Sequence, residues 1–448
     1  MGTVGSTLSS LAGSGIDVLG TVNQLIALES APIRLLQSQQ QKLSAQTSAL
    51  HELNKLLLDL KAKADALKDL SGKFNTQIAA SSHPDILTAT ASATARSGSH
   101  SVVVNSLATT SSYYTEALTD GSTPFATGTF DVSIGGGAAV TITVDSTNNT
   151  LEGLAAAINA LDAGITASVV TDANGARLSL VSNTSGAPGD LTISNNTTGL
   201  SFTKAVAGAN ASLIVDGIPI SSASNTLGTV LPGVTLNIIA PAAGTTVALS
   251  VTPDRAEARG AIEEFIASYN ALVQAVNAQF SYNAETQQGA PLAGDSSLRL
   301  VQQQILSLAS YSVAGNNGME TLASLGITVS NDGTLSADSA KLDDALSSNF
   351  ASVQNFFQSL TPAGFARNFS TALAVLTDSV NGPLHIALKG IEQSNSSLAD
   401  QIEALEDRLE VRRQILIDQF TRVDGALRQL PTLLGQISAQ LNALPGVS

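Results

Sequence analysis

The feature that most constrains this fold is a pair of heptad patterns, one near each end of the chain. In the front pattern apolar residues recur every seven positions, with a second series three positions later: Leu36, Leu43, Leu50, Leu53, Leu57 and Leu60. In the back pattern the same alternation runs through Leu398, Ile402, Leu405, Leu409, Leu416, Phe420, Val423 and Leu427, and continues to Leu430, Leu434 and Ile437. This spacing places the apolar side chains on one stripe of a helix. We therefore predict two long amphipathic helices that pair with each other or with neighbouring subunits, and we interpret the named stripe residues as a coiled-coil and oligomerisation seam.

Polar residues interrupt both stripes. Gln39 and Gln46 lie among the front positions, and Arg412 occupies a back position next to an irregular step. A polar seam residue lowers the stability of a coiled coil but helps to fix its register. Pro431 lacks a backbone N–H, and its ring clashes with the preceding helical turn, so we predict a kink or a new helix start there.

The alternative interpretation is that the stripes are core positions of an ordinary helical bundle, as in most amphipathic helices. Its difficulty is length, because a helix over residues 394–430 would be about 55 Å long and would extend past a compact domain. We favour an extended coil.

Composition excludes several classes of protein. The 448 residues carry a formal net charge of −15, which disfavours a nucleic-acid partner because phosphate binding needs a basic face. The chain has no cysteine, so it has neither disulfides nor thiolate metal or redox sites. No basic leader precedes Arg34 and no run of eighteen apolar residues occurs, so we expect neither a cleavable secretory signal nor membrane insertion.

Between the helical ends the periodicity changes from that of helices to the two-residue alternation of strands. We predict an α+β multidomain fold in which β-rich head domains are inserted into a helical leg domain with terminal coiled-coil helices. The predicted domains are a terminal coiled coil (1–40 and 395–448), a helical leg domain with a β-hairpin (41–75 and 254–394), a first β-rich head domain (76–120 and 206–253) and a second one (121–205).

No residue pattern indicates catalysis, a cofactor or a metal site. His51, His83, His100 and His385 are scattered along the sequence without paired spacing, and no nucleotide-binding or hydrolase motif occurs. Residues 331–333 (NDG) and Asp338 suggest calcium only superficially, because the regular acidic spacing and terminal Glu of a calcium loop are missing. We interpret them as a hairpin turn and a helix cap, and we expect the protein not to be an enzyme.

Several segments resemble one known family, the bacterial flagellar filament cap family, also called hook-associated protein 2. Its N-terminal signature is similar to residues 13–17 (GSGID), 22–25 (VNQL) and 29–32 (ESAP). Its C-terminal half is similar to residues 265–277 (FIASYNALVQAVN), 291–295 (PLAGD) and 325–335 (LGITVSNDGTL). Residues 130–193, with 150–159 (TLEGLAAAIN), resemble the flagellin IN motif, which the family shares with flagellins and junction proteins.

The resemblance implies an assembly factor at the tip of the flagellum. Members form a homo-oligomeric ring of about five subunits, in which a β-rich plate closes the channel and helical legs occupy vacant flagellin positions. Exported flagellin folds and inserts beneath the plate and is not lost to the medium. The implied partners are flagellin, the hook-filament junction protein and a flagellar export chaperone at the C-terminal helix. The implied localisation is the distal tip, reached through the flagellar export apparatus.

Two other functions fit parts of the sequence. A structural hook-filament junction or filament subunit would share the helix–β–helix plan and the IN-like segment. A surface adhesin that binds host glycans is the other alternative. Aromatic residues make up only 4% of the chain, which leaves few stacking platforms for sugars.

Overall fold

The computed structural model describes residues 17–284 and 288–442, and the chain divides into two compact units. The helical unit comprises Met1–Lys68 with Ile262–Ser448, and the β-rich unit comprises Asp69–Ala261. The helices are α1 Val18–Glu29, α2 Ala31–Lys68, α3 Leu151–Ala160, α4 Arg255–Ala278, α5 Ser296–Ala309, α6 Ser339–Ser348, α7 Phe350–Gln358, α8 Phe365–Leu376 and α9 Pro383–Asn442. The predicted α+β fold class is confirmed.

The strands alternate with tight turns along the chain. Those before α4 are β1 Gln77–Ser81, β2 Leu87–Ala91, β3 Gly98–Ser106, β4 Thr110–Thr115, β5 Gly128–Ile134, β6 Val140–Val144, β7 Ile165–Asp172, β8 Gly175–Ser185, β9 Leu191–Ser194, β10 Phe202–Val206, β11 Ala211–Val215, β12 Ile218–Ser222, β13 Thr226–Leu231, β14 Val234–Ile238 and β15 Val247–Pro253. The later ones are β16 Tyr282–Asn283, β17 Gln288–Gly289, β18 Ile327–Val329 and β19 Leu335–Ala337.

The β-rich unit has two hydrophobic cores. The first lies between a five-stranded antiparallel sheet, in the order β1-β15-β3-β11-β12, and a three-stranded sheet, β13-β14-β2. The second is enclosed by the sheets β10-β4-β8-β7 and β6-β5-β9 together with α3. The alternation of buried and exposed residues along these strands builds both cores from Leu, Val and Ile. The four-domain division expected above stays a prediction.

A polar cluster links the chain segments that pass between the two cores. The carboxylate of Asp190 accepts hydrogen bonds from Lys204 Nζ (2.8 and 2.9 Å), the Gly208 N–H (2.7 Å) and the Ser111 hydroxyl (3.0 Å). The bond from Lys204 makes the largest contribution to lowering the pKa of Asp190. Lys204 is the one lysine or arginine between Arg177 and Arg255, and it stabilises the chain segments that connect the two cores.

The turn at residues 331–333 and the cap at Asp338, both predicted from the sequence, are confirmed, and Thr150 caps a further helix. Thr150 caps α3 by accepting from the Gly153 N–H at 3.0 Å, and Asp338 caps α6 by accepting from two backbone N–H groups. Gly333 adopts φ +84° in the turn between β18 and β19. The residues that resembled a calcium loop therefore form a hairpin turn and a cap.

The helical unit has a core of leucines and aromatic rings. Its α2 contributes a buried row and packs against α8 and α9. The rings of Phe265 and Phe369 meet edge to face at 5.1 Å between centroids, and Phe356 stacks on Phe365 at 5.3 Å. Burial raises the pKa of Tyr269, which lies in the same cluster, to about 12.

The expected new helix start at Pro431 is wrong. Helix α9 is continuous over 60 residues with Pro431 inside it, which makes it about 90 Å long. A proline removes one backbone hydrogen bond, and here the turns on either side keep theirs, so the helix is interrupted only locally.

An ionic cluster joins α2 to α8. The carboxylate of Asp65 accepts from Lys61 Nζ (2.8 Å), Lys68 Nζ (2.5 Å) and the Ser370 hydroxyl (2.5 Å). Burial by itself raises the pKa of Asp65, but the hydrogen bonds from these three groups outweigh burial and lower it to about 2. The folded state therefore favours the ionised carboxylate.

We predict that Asp65→Asn lowers the free energy of unfolding by about 1 kcal/mol at pH 7, a value reduced for solvent screening of this partly exposed group. Because folding lowers the pKa of Asp65, the ionised carboxylate stabilises the fold at every pH above its ordinary pKa. This stabilisation is lost as the pH falls from about 4 to about 2. Denaturant unfolding at several pH values measures the difference. Asp400→Asn, at an exposed position of α9, is the control. A constant difference between pH 7 and pH 2 would contradict this assignment.

Candidate assembly surface

Helices α1 and α2 run antiparallel to α9 in the helical unit. Thr47 and His51 of α2 line the same cleft as His385 of α9, whereas Glu29, at the end of α1, contacts Arg412 at 3.6 Å. Residue numbers on α9 therefore rise as the residue numbers of their contacts on α2 and α1 fall, which means that the helices are antiparallel. Two ends of one chain form a long antiparallel pair, which is one of the two kinds of pairing that the heptad patterns allowed.

Local sequence explains where α1 begins and ends. The Asp17 carboxylate accepts from the Gly20 N–H at 2.8 Å and caps the helix. Ser30 separates α1 from α2, and Pro32 stands in the first turn of α2, where its missing N–H has no partner to lose.

The polar seam residues make specific contacts or face solvent. Gln46 Nε2 donates to the Pro291 carbonyl at 3.0 Å, Gln39 is exposed, and Arg412 pairs with Glu29. Gln46 and Arg412 thus fix where α2 and α9 meet their neighbours. As exposed ion pairs contribute little free energy, the Arg412–Glu29 contact sets register more than stability.

The structure divides the predicted seam of α2 into two parts. Leu36 and Leu43 are half-buried, whereas Leu50, Leu53, Leu57 and Leu60 are 0–2% exposed in the core of the helical unit. A side chain with so little exposed surface has none left for another subunit. We therefore confine the proposed assembly surface to the other seam residues.

Burial along α9 decreases toward its C-terminal part. Ile402 and Leu416 are buried, and Leu398, Leu405, Leu409 and Phe420 are half-buried. Beyond them lies an apolar strip at three-four spacing, formed by Val423 (49% exposed), Leu427 (half-buried), Leu430 (44%), Leu434 (54%) and Ile437 (51%).

The position of the strip follows from helix length. With Glu29 beside Arg412, the eleven residues back to Val18 bring the described start of α1 about level with Val423. In the part of the chain that the structure describes, α1 therefore covers α9 only up to the strip. Large contiguous apolar surface of this kind marks an interaction site in soluble proteins.

Sequence reasoning missed one group of apolar residues on α9. Val411 and Ile415 are exposed on a different face, next to the irregular four-four step from Leu416 to Phe420. This irregular step in the sequence could have identified them, because a change of spacing moves the apolar positions around the helix.

The described residues contain neither a metal-binding group nor a membrane-spanning helix. Within residues 17–284 and 288–442, no group of three or more His, Asp or Glu side chains is placed to hold a metal ion. Among the helices described, none is both long enough and apolar enough to span a bilayer. The motif residues 13–16 lie outside the described residues.

We predict that Leu416→Ala and Leu434→Ala differ sharply in their effect on the fold. Loss of the buried Leu416 side chain should lower the free energy of unfolding by about 2–4 kcal/mol, because it leaves a cavity. The same truncation at Leu434, which is half exposed in the monomer, should change it by less than about 0.5 kcal/mol. Denaturant unfolding at low protein concentration measures both variants, and equal losses would contradict the strip's definition as free surface.

Comparison with known proteins gives one consistent family. The family model for the flagellar hook-associated protein 2 N-terminus matches residues 14–111, and that for its C-terminus matches residues 208–432. Residues 112–207, which include the IN-like segment, lie between these matches.

Relatives and solved structures agree with the family models. The B-type flagellar hook-associated protein 2 of Pseudomonas aeruginosa is 30% identical over 97% of this chain and 98% of its own length. Flagellar hook-associated protein 2 of Escherichia coli is 28% identical over the same share of each chain. A crystal structure of the flagellar cap protein from Escherichia coli superposes with a TM-score of 0.58 at 27% identity, covering 77% of this chain and 99% of that one. The chain belongs to the flagellar hook-associated protein 2 family.

Proposed function

We propose that this chain is a flagellar filament cap, an oligomeric assembly factor that acts at the filament tip and has no catalytic residue. The observation that carries the proposal is the match to the family over nearly the whole chain, joined to a helical unit with an uncovered apolar strip. The similarity to the flagellar cap protein of Escherichia coli supports the proposed function. The exposed strip provides a surface for attachment to other helices.

The apolar strip suits reversible attachment to other helices. A helix with anchors at three-four spacing binds a groove or another helix through its apolar face. The proposed binding residues are the exposed and half-buried members of the seam, Leu36, Leu43, Leu398, Leu405, Leu409, Phe420, Val423 and Leu427, together with the rest of the strip, Leu430, Leu434 and Ile437. An apolar contact interrupted by polar residues such as Gln39 holds a subunit in register and still permits release, which a cap must do each time a new filament subunit enters.

The partners are inferred from this surface and the family. We propose a homo-oligomeric ring of about five copies, in which the strip contacts helices of neighbouring copies or of flagellin. The hook-filament junction protein would be the first surface that the cap meets. A flagellar export chaperone would cover the C-terminal part of α9 before export, since an exposed apolar strip promotes aggregation. The route proposed is the flagellar export apparatus, and the destination is the extracellular tip.

Deletion of the gene in its own bacterium tests the function. We predict normal hooks, short or absent filaments and flagellin monomers in the culture medium, because flagellin would leave the channel without being captured. Immunoblots of the medium and electron microscopy of the cells measure these results. Normal filament length with no flagellin in the medium would overturn the cap proposal, and missing hooks would favour a junction protein.

A double substitution on the strip tests the attachment surface. We expect Leu430→Gln with Leu434→Gln to leave the monomer's unfolding midpoint unchanged within about 2 °C, because both side chains are exposed in it. The variant should nevertheless weaken self-association and fail to restore motility to the deletion strain.

Thr432→Gln is a matched control on an exposed position of the same turn. Sedimentation velocity and swimming assays compare the two variants. Wild-type association and full motility of the double variant would show that the strip is not the attachment surface.

A further inference from the structure

At the outer edges of two strands in this protein, an asparagine side chain bonds to the backbone. Strand β7 lies at the edge of its sheet and pairs only with β8. The Ala167 N–H donates to Asn159 Oδ1 at 2.8 Å, and Asn159 Nδ2 donates to the Ala167 carbonyl at 2.8 Å. A single carboxamide from α3 thus satisfies both backbone groups of one edge residue.

Strand register explains why these groups point outward. Asp172 and Gly175 close the β7–β8 hairpin across a two-residue turn, so alternate residues back from Asp172 bond to β8. The backbones of the residues between them, which include Ala167 and Val169, face away from the sheet. A strand that added along the whole of this edge would have to bond at Ala167, the position that Asn159 occupies.

The same arrangement occurs in the helical unit. Strand β19 pairs with β18 alone, and its Leu335 N–H donates to Asn270 Oδ1 at 2.7 Å. Asn270 Nδ2 donates in turn to the Leu335 carbonyl at 2.8 Å. Asn270 belongs to α4, as Asn159 belongs to α3, so a helix presents the amide to the strand edge in both units.

The usual protection of an exposed edge is missing from β7. Proteins commonly place Lys, Pro or a bulge on an edge strand to prevent pairing with another chain. Strand β7 reads ITASVVTD and contains neither lysine nor proline, and the sequence has no basic residue between Arg96 and Arg177. Asp172 at its end is the one charged residue of this eight-residue strand, and the rest of the strand, which is rich in β-branched residues, is a good template for strand addition.

We propose that Asn159 and Asn270 are edge guards, whose amides prevent strand addition from a second copy of this chain. A carboxamide suits this task because the backbone of a strand residue offers a donor and an acceptor side by side, and the amide matches each with a separate atom. The asparagine amide is uncharged, and the helix that carries it already lies beside the strand. The amide keeps identical copies from pairing through their sheets while leaving their other surfaces free to associate.

The test uses the full-length protein with Asn159→Ala, which removes the amide and adds no apolar bulk. Asn183→Ala is the matched control on neighbouring β8, where the side chain accepts from the Thr166 hydroxyl at 2.7 Å and protects no edge. We expect amide hydrogen exchange at Ala167 to rise more than tenfold in Asn159→Ala. We also expect species larger than the wild-type distribution in sedimentation velocity, and neither change in the control.

A rescue variant separates guarding from ordinary stabilisation. Ser168→Lys in the Asn159→Ala background places a charge on the exposed face of β7. It should return the sedimentation profile to that of the wild type, while the Ala167 amide still exchanges fast. Larger species that persist with the lysine present would overturn the proposal, as would a fast-exchanging Ala167 without any larger species.

If Asn159→Ala does not fold, the Asn270→Ala variant tests the proposal instead, because Asn270 bonds to a strand edge in the helical unit. Faster exchange at Leu335 accompanied by larger species supports the proposal. Unchanged exchange at Leu335, or faster exchange with an unchanged sedimentation profile, refutes it.

Discussion

The packing of α2 against α8 and α9 is the interaction on which the rest of this structure depends. Leu50, Leu53, Leu57 and Leu60 lose nearly all their exposed surface there, and each such burial contributes about 1.5–3 kcal/mol before conformational entropy is counted. Because α2 comes from the front of the chain and α9 from the back, this contact joins both ends of the chain in the helical unit, and the residues of the β-rich unit lie between them in the sequence. The ionic cluster at Asp65 adds a specific polar contact at the edge of this largely apolar core.

A single long helix serves two purposes in this arrangement. The first part of α9 completes the fold through Leu384, Ile402 and Leu416, and its last part presents the apolar strip. A continuous helix transmits position along its axis, since its residues advance by a constant rise and rotation. The register set by contacts such as Arg412 with Glu29 therefore also fixes which residues of the strip face a partner.

Much of the local structure could be predicted from the sequence. Heptad spacing predicted two long amphipathic helices and left open whether they pair with each other or with neighbouring subunits. Asp338 and residues 331–333 indicated their cap and turn because each such signal acts within four residues. The new helix start expected at Pro431 was wrong, since one missing hydrogen bond does not end a helix supported on both sides. The edge-guard role of Asn159 was invisible, because nothing local distinguishes an amide that meets a strand from one that meets water.

The sequence alone determined the helix and strand periods, the turn and cap positions, the absence of cysteine chemistry and the resemblance to one family. Only the tertiary structure decided which stripe residues are core and which are surface. Leu57 and Leu434 have the same side chain and the same heptad spacing, yet one is fully buried and the other half exposed. The physical reason is that periodicity defines a face of a helix, whereas burial depends on whether another element lies against that face.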